Sequence, residues 1–113
     1  MDVTITARHC TVADSVRQRA MERVARLSKY QPRASAGDVI FDEDGSVRRA
    51  EIRIAVDGAP MQVAKADGET FQVALDRAVQ KVARQLKRER EKRVDHQAPA
   101  MKALDVEGGM ATG

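Results

Sequence analysis

Apolar and polar positions change period four times along the chain, and each change predicts an element. "DVTITAR" alternates, with Val3, Ile5 and Ala7 on one side and Asp2, Thr4, Thr6 and Arg8 on the other, the signature of a half-buried strand. Thr11 and Asp14 then form a Thr-x-x-Asp start, in which the Thr hydroxyl can cap an orphan amide. Val16, Ala20, Val24 and Leu27 follow at i, i+4, i+8 and i+11, one apolar stripe of a helix ending near Lys29.

"QPRASAG" predicts a break, since Pro32 cannot continue a helix and Gly37 permits a turn. Three strands are expected next: "DVIFDE", "VRRAEIRIAV" with Ile52, Ile54 and Val56 alternating, and "APMQVAKA" with Met61 and Val63 alternating. Asp44-Gly45 and Asp57-Gly58 stand between them, and this dipeptide favours hairpins because both residues tolerate positive φ. A second helix begins after "ADGET", capped by Asp67 or, better placed, Thr70, with Phe71, Leu75, Ala78, Val82 and Leu86 on one face.

The predicted order is β-α-β-β-β-α, an α+β domain with both helices on one face of a four-stranded, mostly antiparallel sheet. Charges outlast the apolar stripe of the second helix, which sets the domain at residues 1–93. "VDHQAPAMKALDVEGGMATG" shows no sustained period, and a disordered tail is expected over 94–113. At 113 residues the chain has room for one modest core.

Charge changes the picture more than composition does. Net charge is only +3, yet of 20 Lys and Arg six fall in residues 11–33 and eight in 77–93, while six acids fall in residues 38–57. On the first helix Arg19, Arg23, Arg26 and Lys29 follow one another at helical spacing. On the second, Arg77, Lys81, Arg84, Arg88 and Lys92 do the same. Packed side by side, the two stripes would join into one positive groove suited to a phosphate backbone, where Arg can bind bidentately. A solvated face supported by Glu89 and Glu91 is the competing reading.

Catalytic and metal chemistry find little support. With no Trp, one Tyr and two Phe there is no aromatic-lined pocket for a small-molecule substrate, and none is expected. Cys10 is the single cysteine, which fits a reducing compartment; adjacent His9 would point to the opposite face of a strand, and His96 lies in the expected tail. "DEDG" at 42–45 lacks the remaining ligands of a calcium loop. No catalytic residue, metal or cofactor is expected. No apolar run reaches membrane length and no signal peptide opens the chain, so a cytoplasmic protein without a membrane partner is expected.

The second helix carries a further signal. Ala74, Leu75 and Asp76, then Lys81, Val82, Ala83, Arg84, Gln85 and Leu86, with Lys87, Arg88, Arg90 and Lys92 after them, resemble the closing helix of the ribosome hibernation-promoting factors. That is the ribosome-associated inhibitor and sigma modulation protein family, whose pattern there is Ala-Ile-Asp, four residues, then Lys-Leu-x-Arg-Gln-Leu. "DVTITARHCTVADSVRQRAMERVARLSKY" is similar to the family's first strand and helix, through Leu27-x-Lys29-Tyr30, so the resemblance covers about residues 1–93. Gln72 departs from it where an aromatic is common, and Arg77 where a small residue is.

The resemblance implies a fold akin to a double-stranded-RNA-binding domain with an added strand, and function by occlusion. Members of the short form bind the small ribosomal subunit, and hence the whole ribosome, in the mRNA and tRNA channel of the decoding centre; they block translation and preserve idle ribosomes in stationary phase or stress. Contacts to ribosomal RNA carried over from the family would then come from Arg23, Arg26 and Lys29 on the first helix and from Lys81, Arg84, Lys87 and Arg88 on the second, and the basic stripes add Arg19, Arg77 and Lys92 as candidates. The protein would be monomeric off the ribosome. A generic duplex-RNA-binding module and a protein-binding transcription modulator are the alternatives.

Overall fold

A computed structural model describes the backbone of residues 1–102 and the side chains of residues 1–92. The order is β1 (Asp2–Arg8), α1 (Asp14–Ala25) continued by a 3-10 turn at Arg26–Lys29, β2 (Ala34–Asp44), β3 (Val47–Val56), β4 (Gln62–Gly68) and α2 (Phe71–Lys102). The strands form one sheet in the order β1-β2-β3-β4. β1 lies parallel to β2, as an α-helical crossover allows, and β2, β3 and β4 are antiparallel neighbours.

The sheet is one-sided. Val39 and Phe41 of β2, Ala50, Ile52 and Ile54 of β3, and Ala64 and Ala66 of β4 are buried with Ala20, Val24 and Leu27 from the first helix and Leu75, Ala78, Val82 and Leu86 from α2. α1 lies over β1 and β2, α2 over β3 and β4. Alanine at four of these sheet and α2 positions keeps α2 low on the strands. The helix stripes read from the sequence face the core, but at β4 the expected alternation of Met61 and Val63 is exposed, at 55% and 40%, and Ala64 and Ala66 are buried instead.

Local chemistry differs from expectation in three places. Thr11 does not cap α1: the cap position is Ala13, without a side-chain bond, and its carbonyl accepts the amides of Val16 and Arg17 at 3.0 Å. Thr70 does cap α2, its hydroxyl accepting the Val73 amide at 3.1 Å. Gly37 makes no turn. It lies inside β2, which starts at Ala34, and a Cβ there would stand 2.9 Å from Val24 Cγ1 and 3.1 Å from Ile54 Cδ1. The glycine is there so that α1 can close on the sheet.

The first hairpin is also shifted by one residue. Asp44 pairs with Val47, so Gly45 and Ser46 are the central residues, and only Gly45 has positive φ, at 63°. That is the pattern of a II′ turn, whose first central residue is glycine. Gly58, at φ 75°, follows Asp57 in the next turn, closed by the Ala59 amide to the Val56 carbonyl at 3.1 Å. The expected disordered segment from 94 onward begins within the backbone range of α2, and its residues 103–113, like the side chain of His96, lie outside the described residues.

Candidate nucleic-acid interface

The ten cations named from the sequence fall into three groups. Arg19 and Arg23 face α2. Arg19 binds Asp76 through Nε–Oδ1 at 3.0 Å and Nη2–Oδ2 at 3.2 Å, and Arg23 reaches the same Oδ1 at 3.4 Å. The hydrogen bond that Arg19 donates to Asp76, with the charge of that carboxylate, raises the Arg19 pKa further. One carboxylate therefore counters two of the four first-helix cations.

Arg77 and Lys81 lean the other way, toward the edge of the sheet. Arg77 donates to the Asp67 carbonyl and Lys81 to the Lys65 carbonyl, each at 2.9 Å, so both occupy backbone acceptors of edge strand β4. At about 100° per residue, Lys81 stands about 140° around α2 from Asp76 and Arg84 about 80°. Arg84 thus points away from the core between the two flanks, with Arg88 and Lys92 after it; all three are exposed. The single groove expected from joined stripes is not what forms. The α2 cations make an outward ridge, separated from α1 by Asp76.

Where the first helix ends, the third group meets in a cleft. Arg23, Arg26, Lys29 and Tyr30 line one side, Gln80 of α2 the other, and Leu27, Val79 and Ala83 the floor, enclosing about 270 Å³. Lys29 Nζ stands 5.0 Å from the Tyr30 ring centre, and Lys87 Nζ reaches over the same ring from α2 at 4.5 Å. Of these two cation–π contacts, the one from Lys87 bridges the two helices. Gln80 and the position of Tyr30 in this site were not singled out from the sequence. The i, i+4, i+7, i+11 spacing of Asp76, Gln80, Ala83 and Lys87 was the signal that this is a separate face of α2.

A larger hollow of about 680 Å³ lies by the starts of both helices, but Glu43 and Glu69 share it with Arg48, so it offers no consistent charge to an anion. On the open face of the sheet Arg8, Asp42, Arg49 and Asp67 fall in one cross-strand row. Arg49 binds Asp67 at 2.7 Å, and Arg53 binds Glu51 at 2.7 Å. Of the six acids in residues 38–57, Glu43 and Glu51 are held by the neighbouring arginines Arg48 and Arg53. The helix side remains the basic one.

The other chemistry-bearing residues do not assemble. His9 follows the end of β1, exposed at φ 55°, a left-handed position that histidine tolerates. Cys10 is half-buried with its thiol 3.7 Å from the Phe41 carbonyl, and burial, with Glu43 and Asp42 nearby, pushes its pKa up, away from a reactive thiolate. Asp42 accepts the Glu43 amide at 2.8 Å, and Glu43 pairs with Arg48 at 3.4 Å. Among the described residues no cluster of three or more His, Cys, Asp or Glu could hold a metal, and no helix is long and apolar enough to cross a membrane.

Comparison with known proteins finds matches in both sequence and fold. The family model described as Sigma 54 modulation protein / S30EA ribosomal protein matches residues 3–94. A ribosome hibernation promoting factor of Azotobacter vinelandii is 30% identical over 97 residues, covering 86% of this chain and 90% of that protein. One from Pseudomonas putida is 28% identical over 92 residues, 81% and 89% of the two chains. Among solved structures, the Thermus thermophilus Protein Y N-terminal domain superimposes with a TM-score of 0.69 at 27% identity, covering 78% of this chain and 98% of that one. A ribosomal subunit interface protein from Coxiella burnetii, at 15% identity, shares the fold with a TM-score of 0.74 over 80% and 99% of the chains.

Proposed function

The chain belongs to the Sigma 54 modulation protein / S30EA ribosomal protein family, and from that premise we propose that it is a ribosome hibernation factor acting by occlusion. It binds the small ribosomal subunit in the mRNA and tRNA channel of the decoding centre, blocks translation on whole ribosomes and preserves them when idle, in stationary phase or stress. Its work is binding rather than catalysis, and its place of action is the cytoplasm.

The observation that carries this reading is a basic ridge standing on the helix side of a family-typical fold. Arg84, Arg88 and Lys92 along α2, and Arg26, Lys29 and Lys87 around the cleft, are exposed on the two elements that the sheet does not cover. Each phosphate neutralised by such a group releases condensed counterions, so affinity falls steeply as salt rises. Arg77 and Lys81 extend the surface toward β4, whereas Arg19 is committed to Asp76. A rigid body in that channel and a translating mRNA exclude each other sterically, so no residue needs to perform chemistry.

Co-sedimentation with small subunits, large subunits and whole ribosomes across a salt series tests the proposal. Stoichiometric binding to small subunits and whole ribosomes, lost at high salt and displaced by mRNA and tRNA, is expected. Arg84→Glu with Arg88→Glu, both exposed, should abolish it without unfolding the protein. Equal weak binding to all particles and to arbitrary RNA duplexes would instead describe a generic duplex-binding module.

A further inference from the structure

We infer that the cleft between the end of the first helix and α2 receives one unpaired nucleobase of a single-stranded RNA segment, an inference that rests on the RNA-binding reading above. Phosphate recognition alone needs only exposed cations. This cleft has more than that. Its floor of Leu27, Val79 and Ala83 is apolar, which suits the flat face of a heterocycle and does nothing for a phosphate. Its volume of about 270 Å³ lies below the roughly 300–1,000 Å³ of drug-sized ligand sites, the scale of one ring system.

Tyr30 supplies the stacking partner. It is the chain's single tyrosine, and the two phenylalanines are engaged with each other, Phe41 and Phe71 meeting edge-to-face at 5.6 Å between ring centres. Lys29 and Lys87 now lie over the Tyr30 ring. Both are flexible point charges, free to swing from the ring to the phosphates on either side of an inserted base. Gln80 on the rim presents one acceptor and two donor hydrogens, the complement of a base edge. Stacking on an aromatic with hydrogen bonds to an exposed edge is how unpaired RNA is read, and a base held inside a duplex cannot be offered to such a cleft.

The site makes the protein sensitive to whether a base is present at one position of the strand. The probe is a dye-labelled cytidine hexamer, compared with the same hexamer carrying one central abasic ribose and with a hexamer duplex, all in matched salt. The base-bearing single strand is expected to bind about tenfold tighter than the abasic one, consistent with stacking of one base. Nuclear magnetic resonance should show the Tyr30 ring and Ala83 methyl signals shifting with the former only. Ala83→Met, which fills the cleft without altering charge, should remove the difference and leave the salt slope unchanged.

Equal affinity for the intact and abasic strands, with no shift at Tyr30 or Ala83, overturns the inference, and the native protein alone decides it if the Met variant fails to fold. Small-subunit co-sedimentation on the same preparation separates the two readings. Retained subunit binding without base discrimination sinks the cleft and spares the hibernation function. Base discrimination without subunit binding supports the cleft and sinks that function.

Discussion

Between α1 and α2 the Asp76 carboxylate meets Arg19 through both oxygens and shares one of them with Arg23, at side-chain exposures of 38% and 30% for the arginines. Both guanidiniums are therefore part of the helix–helix contact, and Arg19, gripped bidentately, has the least left for a phosphate. Arg19→Gln should lower the thermal midpoint yet leave the slope of log affinity against log salt unchanged. Lys87→Gln should reduce the magnitude of that slope by about 0.7–0.9 for the lost phosphate contact, and lower the thermal midpoint less than Arg19→Gln does, since one cation–π contact with Tyr30 is lost in place of a bidentate ion pair. Melting curves and a binding salt series on the two variants read both quantities. A residue of another kind, Gly37, matters through the atom it lacks: Gly37→Ala forces a methyl within 2.9 Å of Val24 Cγ1 and should cost about 1–3 kcal/mol in denaturant titration.

At the scale of elements, α2 is organised by three faces rather than by one apolar and one basic stripe. Leu75, Ala78, Val82 and Leu86 bury into the sheet, Asp76, Gln80, Ala83 and Lys87 meet the first helix and the cleft, and the remaining cations run outward and toward β4. Leu86 is fully buried near the end of the contact, and Leu86→Ala should cost about 2–5 kcal/mol through lost burial and the cavity left behind. Thr70→Ala removes the hydroxyl that accepts the Val73 amide and should cost about 1 kcal/mol. β4 is an edge strand, and the Arg77 and Lys81 bonds to its carbonyls keep that edge from pairing with another chain. The double variant Arg77→Ala, Lys81→Ala should therefore self-associate more at high concentration, a change visible in sedimentation velocity.

For the whole molecule, charge is divided between two sides. The open sheet face is ordered into alternating rows such as Arg8, Asp42, Arg49 and Asp67, while the helix side carries the ridge. The hydrogen bond from Arg49, with its charge, holds the Asp67 carboxyl below the usual carboxylate range. A carboxyl depressed in the folded state contributes stability above its unfolded pKa and loses it as pH falls through the folded value. The pair's contribution is thus whole at neutral pH and lost in acid. Asp67→Asn should lower the melting midpoint near pH 7 and leave it closer to that of the native protein near pH 2, by a small amount because the pair is exposed.

Sequence by itself determined the elements, their order and, outside β4, the faces they bury, because periodicity is written among residues a few positions apart: Val16, Ala20, Val24 and Leu27 on the first helix, Phe71 to Leu86 on the second, Ile52 to Val56 in β3. The motif around Lys81 to Leu86 also placed the chain in its family. Gly37 and Thr11 were misread because a local pattern of breakers and caps does not show what packs above it. Tertiary structure alone decided which cations remain for a partner. Arg19 and Asp76 are 57 residues apart, and Lys81 reaches the Lys65 carbonyl across 16. Tyr30 likewise meets Lys87 only because the helices are neighbours on the sheet. Burial depends on each element's own pattern, whereas a binding surface is made of side chains that only packing brings together.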